Sequence, residues 1–84
     1  MLTYDEDNFL LNWTLPDVLP DQWMVMQTET EDGDYAMEDA VTGATTQEDV
    51  SGMGNGWYYV TGCLADLTIT GPESNKVHVT NITE

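Results

Sequence analysis

The sequence predicts a mainly β domain: a small antiparallel sheet, sandwich or partly closed barrel of five or six short strands. Three observations carry that expectation. Runs such as Trp57-Tyr58-Tyr59-Val60-Thr61 have the aromatic and β-branched content of strands. Turn signals, including Pro16, Pro20, Asp32-Gly33 and Gly71-Pro72, cut the chain at short intervals. There is no internal repeat and no alternation of strand with helix that would build a parallel sheet. An α+β fold with an N-terminal helix is the alternative. At 84 residues the chain makes one domain over 1–84. A chain of that size buries only about 60–65% of the surface its unfolded form exposes. With 40% apolar residues, three tryptophans, four tyrosines and five methionines, it has the large side chains a small core needs, and those aromatics argue against disorder.

Residues 3–15 read first as a strand, because Phe9, Leu11, Trp13 and Leu15 alternate with Asn8, Asn12 and Thr14. Thr3 and Glu6 have capping-box spacing, which is what keeps the helical alternative open. Pro16 and Pro20 bracket Asp17-Val18-Leu19 as a loop, since proline lacks a donor and restricts the residue before it. Gln22 to Asp39 reads as a hairpin turning at Asp32-Gly33, residue types that tolerate the positive φ of a tight primed turn. That turn sets Glu31 opposite Asp34, Glu29 opposite Ala36 and Gln27 opposite Glu38. Met24, Met26, Tyr35 and Met37 then share one face, and Glu29, Glu31, Asp34 and Glu38 the other. Residues 42–56 carry four glycines and read as a loop. Trp57 to Thr70 reads as strand broken near Gly62, Gly71 to Asn75 as a turn, and Lys76 to Ile82 as the returning strand.

Charge is the strongest functional signal. Sixteen Asp and Glu stand against a single lysine, Lys76, and no arginine, for a formal net charge of −15. Such a field attracts basic surfaces and repels nucleic acid and anionic membrane. Every nucleic-acid binder needs cationic contacts to phosphate, so direct nucleic-acid binding is the function most nearly excluded. Halophilic adaptation also produces acidic chains, but a solvation role predicts dispersed carboxylates. Here Glu29, Glu31, Asp32, Asp34, Glu38, Asp39, Glu48 and Asp49 put half of the acids into a quarter of the chain. These eight are the expected partner-binding face.

Catalytic signals are weak by comparison, and the chain is read as a non-enzyme. With one lysine and one histidine, little is available to stabilise a developing oxyanion beyond backbone donors. His78 reads as a surface or satisfied strand histidine. Cys63, the lone cysteine, reads as a small core residue and rules out an internal disulfide. The Asp-x-Asp-x-Asp-Gly calcium-loop spacing is absent, so no metal or other cofactor is expected. Asp5, Glu6 and Asp7 stand where a signal peptide would be basic, and no apolar run approaches ~18 residues. A cytoplasmic setting is expected, that of the host cell if the protein is phage-encoded.

Asp39-Ala40-Val41-Thr42-Gly43-Ala44-Thr45 resembles the motif at which FMN-binding domains of redox proteins receive flavin phosphate on a threonine, and the resemblance implies Thr45 as the acceptor. It covers seven residues. In that family the motif leads into a helix, whereas here it leads into Gln47-Glu48-Asp49. As a class, and not by any motif, the chain resembles the small DNA-mimicking inhibitors that phages use against restriction, CRISPR or repair enzymes. Carboxylates recur every ~7 Å along one strand face and ~4.8 Å across strands, so rows of them can stand in for a phosphate backbone. The expected function is therefore a stoichiometric inhibitor, of anti-CRISPR or anti-restriction type, that blocks the basic nucleic-acid-binding groove of a defence or repair protein. A small viral structural or assembly protein and a flavin carrier modified at Thr45 are the alternatives. The sequence leaves open the target, DNA versus RNA mimicry and the oligomeric state.

Overall fold

In the computed structural model, which describes residues 2–82, the chain reverses early. The Asp5 carboxylate accepts the Asp7 N–H at 3.0 Å and the Asn8 amide at 2.9 Å, and Phe9 takes a left-handed φ of 58°. The expected strand over 3–15 is therefore two, β1 (Leu2–Asp5) and β2 (Leu10–Trp13), paired antiparallel with Leu2 opposite Trp13. Among the described residues no helix forms near the N-terminus. A short strand inside the expected 42–56 loop, β5 (Gln47–Asp49), adds to β2 and completes a three-stranded sheet in the order β1-β2-β5. The residues Gln-Glu-Asp have little β preference of their own, and pairing with β2 overrides it.

The second sheet has five strands. It is built on β3 (Gln22–Thr28) and β6 (Gly56–Cys63), which pair along their full length from Gln22↔Cys63 to Thr28↔Trp57. Outside β3 lies β4 (Ala36–Thr42). Outside β6 lie β7 (Ile69–Glu73) at one end and β8 (Val77–Val79) at the other. The expected Trp57–Thr70 strand is not continuous: β6 ends at Cys63, the chain reverses through residues 64–68 and returns as antiparallel β7, with a register shift between Thr61 and Cys63 in their ladder. The Gly71–Asn75 turn is displaced, because Gly71, Pro72 and Glu73 lie within β7. Pro72 is tolerated there because β7 is an edge strand. Among the described residues eight strands replace the five or six expected, and neither sheet closes on itself.

The core lies between the sheets. Leu2, Leu11 and Trp13 from the small sheet meet Val25, Tyr58, Val60 and Val79 from the large one, joined by Val50 and Ile82. Each such aliphatic side chain contributes about 1.5–3 kcal/mol on leaving water. A second cluster of Met24, Met26, Tyr59 and Cys63, with Tyr35 packed against it, occupies the opposite face of the large sheet. Cys63 is fully buried there, as a small core residue, and burial pushes its thiol pKa up, aided by the charges of Asp21 and Asp66.

Three neutral asparagines tie the chain ends to this frame, each acting as donor and acceptor. Asn75 accepts from the Leu2 N–H at 2.8 Å and donates to the Leu2 carbonyl at 2.9 Å. Asn81 accepts from the Tyr4 hydroxyl at 2.6 Å and donates to the Glu6 carbonyl at 2.9 Å. Asn55 holds the Ile82 N–H at 2.8 Å and the Ile82 carbonyl at 3.0 Å. Two glycines seat Pro20 at the other end of the molecule. A Cβ on Gly62 would lie 3.0 Å from the Pro20 ring, and one on Gly43 would overlap the Pro20 carbonyl. Trp23 closes this corner by donating its indole N–H to the Gly43 carbonyl at 3.0 Å.

Candidate acidic interaction site

Six of the eight expected carboxylates fall into two groups, with Glu38 and Asp49 in neither, and the β3–β4 connection explains why. Asp32-Gly33 does not make a two-residue primed turn. Gly33 donates its N–H to the Thr30 carbonyl at 2.9 Å, so Glu31 and Asp32 occupy the middle of the turn. Gly33 is needed for close approach and not for a positive φ: a Cβ there would stand 2.6 Å from the hydroxyls of both Thr28 and Thr30. The Glu31 carbonyl accepts from the Tyr35 hydroxyl at 3.0 Å and from Lys76 Nζ at 3.3 Å, which holds the loop wide. β3 consequently ends at Thr28 and β4 begins at Ala36.

The pairing slides with the turn. Ala36 faces Gln27 instead of Glu29, and Met37 faces Met26 instead of Thr28. A slip of two residues preserves the faces, so Met24, Met26 and Tyr35 share one surface as expected. The acidic ladder is not formed. Glu29, Glu31, Asp32 and Asp34 all lie exposed in the loop, with no cross-strand like-charge pairs among them. A register shift beside Val25 leaves Glu38 without a partner in the ladder and sets Asp39 opposite Val25.

Folding also brings an acid the sequence reading did not include. Pairing of Thr61 with Glu73 puts β7 beside the tyrosines, and the charges of Glu31, Asp32 and Glu73 all reach Tyr35. The Tyr35 and Tyr59 rings lie 4.7 Å apart at 57°. Burial, then these carboxylates, raise the Tyr35 phenol above its ordinary value, and burial, then Glu73, do the same for Tyr59. Lys76 sits 5.2 Å above the Tyr35 ring. The chain's one lysine is thus engaged by a carbonyl and a ring, and the loop carboxylates are exposed. Nothing in the local sequence marks Glu73, because only the β6–β7 pairing brings it near residues 31–35.

Comparison with protein-family models, with curated proteins and with solved structures finds no match to this chain.

The second carboxylate group lies at the seam between the sheets. Glu48 on β5 is half-buried and hydrogen-bonds the Asp39 side chain on β4. One Glu48 carboxyl oxygen is buried without a donor among the described residues, and two carboxylates can share a hydrogen bond only if one carries a proton. Burial, then Asp39, push the Glu48 pKa up to about 7. A folded-state pKa above the unfolded 4.5 means that the native state holds this proton more firmly. The stabilisation is full below about 4.5 and is lost as pH rises through about 7. Stability is therefore expected to fall between pH ~5 and ~8 by about 1 kcal/mol, allowing for solvent screening at this half-open site. Glu48→Gln supplies a permanent donor and should flatten that slope and raise Tm at pH ~8. Thermal melts of both proteins at the two pH values check this. The window stays above the range in which Asp5, Asp49 and Asp66 titrate. Hydrogen bonds from Asn8, Ser51 and Thr68, respectively, hold those three below the usual carboxylate range.

The remaining chemistry-bearing residues are placed as follows. Asp49 is exposed and accepts the Ser51 N–H at 2.8 Å. Thr45 closes a Thr42–Thr45 turn, with its N–H 3.0 Å from the Thr42 carbonyl and the two hydroxyls 2.9 Å apart, and the chain continues into β5. His78 stacks on Trp57 at 4.3 Å, from adjacent strands. Among the described residues no group of three or more His, Cys, Asp or Glu is placed to hold a metal ion. Nor, among the described residues, is any helix long and apolar enough to cross a membrane.

Proposed function

We propose that this protein is a stoichiometric binding protein, not an enzyme, that presents carboxylates to the basic groove of a nucleic-acid-binding protein and excludes the nucleic acid. Inhibition of a defence or repair enzyme, as by an anti-CRISPR or anti-restriction protein, is the form of this activity best suited to so small and so charged a chain. The observation that carries the reading is the β3–β4 loop. Four carboxylates at 29, 31, 32 and 34 project from it, and Glu73 adds a fifth beside the tyrosine pair. The one lysine is directed to the Glu31 carbonyl, so the field is left for a partner to neutralise. The loop is braced at its base by Tyr35 and Lys76, which limits the ordering cost of binding. Charge held this way gives fast, salt-sensitive association with a cationic surface.

A capture experiment tests the proposal. Immobilised protein is exposed to host lysate at low salt and washed, and bound material is displaced with duplex DNA. The expected result is release by DNA of a protein that itself binds nucleic acid. Retention of captured material through the DNA wash, or release of proteins with no nucleic-acid-binding activity, overturns the mimicry.

A further inference from the structure

Long-range attraction brings a basic partner to this surface, but affinity and residence time come from a few well-packed apolar anchors. We infer that the groove between the Pro16–Pro20 loop and β7 is the anchor site, taking a large aliphatic or aromatic side chain from a lysine- or arginine-rich segment of the same partner. The inference rests on the acidic-interaction reading above and adds its specificity element.

The groove encloses about 560 Å³, within the range of about 300–1,000 Å³ typical of ligand pockets. Trp13 and Trp23 stand in its walls, 6.2 Å apart and tilted by 60°. Pro16 and Pro20 stiffen one side, and the seating of Pro20 against Gly43 and Gly62 holds that side in place. Three apolar side chains line the mouth without burying themselves: Val18 is 85% exposed, Leu19 46% and Leu15 40%. Trp13 is 5% exposed, and its indole N–H has no acceptor among the described residues. A small domain gains nothing in stability by holding so much apolar surface in water.

Charge selects the occupant. Glu73 lines the groove and also reaches Tyr35 and Tyr59 beside the acidic loop, so apolar groove and carboxylate patch are continuous through one residue. Asp17 lies on the loop between the two prolines, and Asp21 follows it. An anionic or neutral apolar peptide would meet this rim at a disadvantage. A cationic segment would set its ammonium or guanidinium groups on the rim while its apolar side chain enters the groove.

Two acetylated, amidated peptides test this, Lys-Lys-Leu-Lys-Lys and Lys-Lys-Ala-Lys-Lys, titrated against the full chain at low salt while the Trp13 and Trp23 indole resonances are followed. The leucine peptide is expected to bind about tenfold more tightly than the alanine peptide, from the extra apolar surface buried. Gly71→Leu adds bulk to the groove wall, at a lining position where a Cβ meets nothing within 4 Å. This variant should reduce the ratio to about one while leaving the alanine peptide's affinity unchanged. Val18→Ser, which trims the rim at an exposed position, should lower the ratio with no change in Tm. Neutralising Glu29 and Glu31 to glutamine should weaken both peptides equally and preserve the ratio. Equal binding of the two peptides by the wild type, or a ratio that survives Gly71→Leu in a folded variant, overturns the groove and leaves the acidic reading standing. A ratio of about ten with affinities indifferent to Glu29 and Glu31 keeps the groove and overturns the acidic reading. Failure of both peptides to bind overturns both.

Discussion

Replacing Gly43 by alanine is expected to destabilise the domain by about 3 kcal/mol and to lower Tm by roughly 15 °C. The reason is a backbone approach and not a conformational preference. The Gly43 N–H donates to the Asp21 carbonyl at 3.0 Å, and its own carbonyl accepts from Trp23 at 3.0 Å. Between these two bonds the chain lies so near Pro20 that a methyl group would overlap the proline carbonyl. A flexible side chain could move aside; a peptide unit held from both directions cannot. Relief requires breaking one of the two hydrogen bonds or withdrawing Pro20 from its seat against Gly62, which would also open the groove. Gly52→Ala is the matched control, because nothing lies within 4 Å of the added carbon. It should be neutral or stabilise by up to about 1 kcal/mol through the unfolded chain. Thermal melts of the two variants decide the matter, and equal melting temperatures would refute the steric account.

Reversing two loop charges is expected to have the largest effect on binding. Glu29→Lys with Glu31→Lys takes the net charge from −15 to −11, each reversal adding two. Affinity for the captured partner should fall about 100-fold at low salt, with a much smaller loss near 1 M, where the Debye length is about 3 Å. Stability should hold or rise, because self-repulsion is relieved and both residues are exposed. The control carries the same charge change elsewhere. Glu6→Lys with Asp7→Lys alters the exposed β1–β2 turn and should cost less than threefold in affinity. Equal losses from the two pairs, read by titration across a salt series, would mean that bulk charge and not the loop carries the interaction.

The β architecture was legible because alternation and turn residues are local signals, and they act on residues that pair with near neighbours in sequence. The face shared by Met24, Met26 and Tyr35 was legible for the same reason. Its register was not, because the Asp32-Gly33 dipeptide competes with one local bond and one from far along the chain. Lys76 and Tyr35 both grip the Glu31 carbonyl, and a two-residue turn would sacrifice both bonds. Clustering of acids between 29 and 49 was visible as composition. That Glu48 meets Asp39 across two sheets, and that Glu73 joins the loop, depends on strand order, which no local pattern encodes. β5 was missed because its residues are poor strand formers recruited by β2. The groove was invisible since Leu15, Val18 and Leu19 become its mouth only once Pro20 is seated on Gly43 and Gly62.

Asn55, Asn75 and Asn81 fasten both ends of the chain with carboxamides, which neither ionise over the biological pH range nor respond strongly to dissolved salt. In a protein of more ordinary composition, lysine–glutamate pairs could do that work, and the wash that strips a bound partner would loosen the same kind of bond within the fold. Here the latches and the bait answer to different variables. On the proposed function, brine would release the partner and leave the fold intact, ready to engage again on dilution.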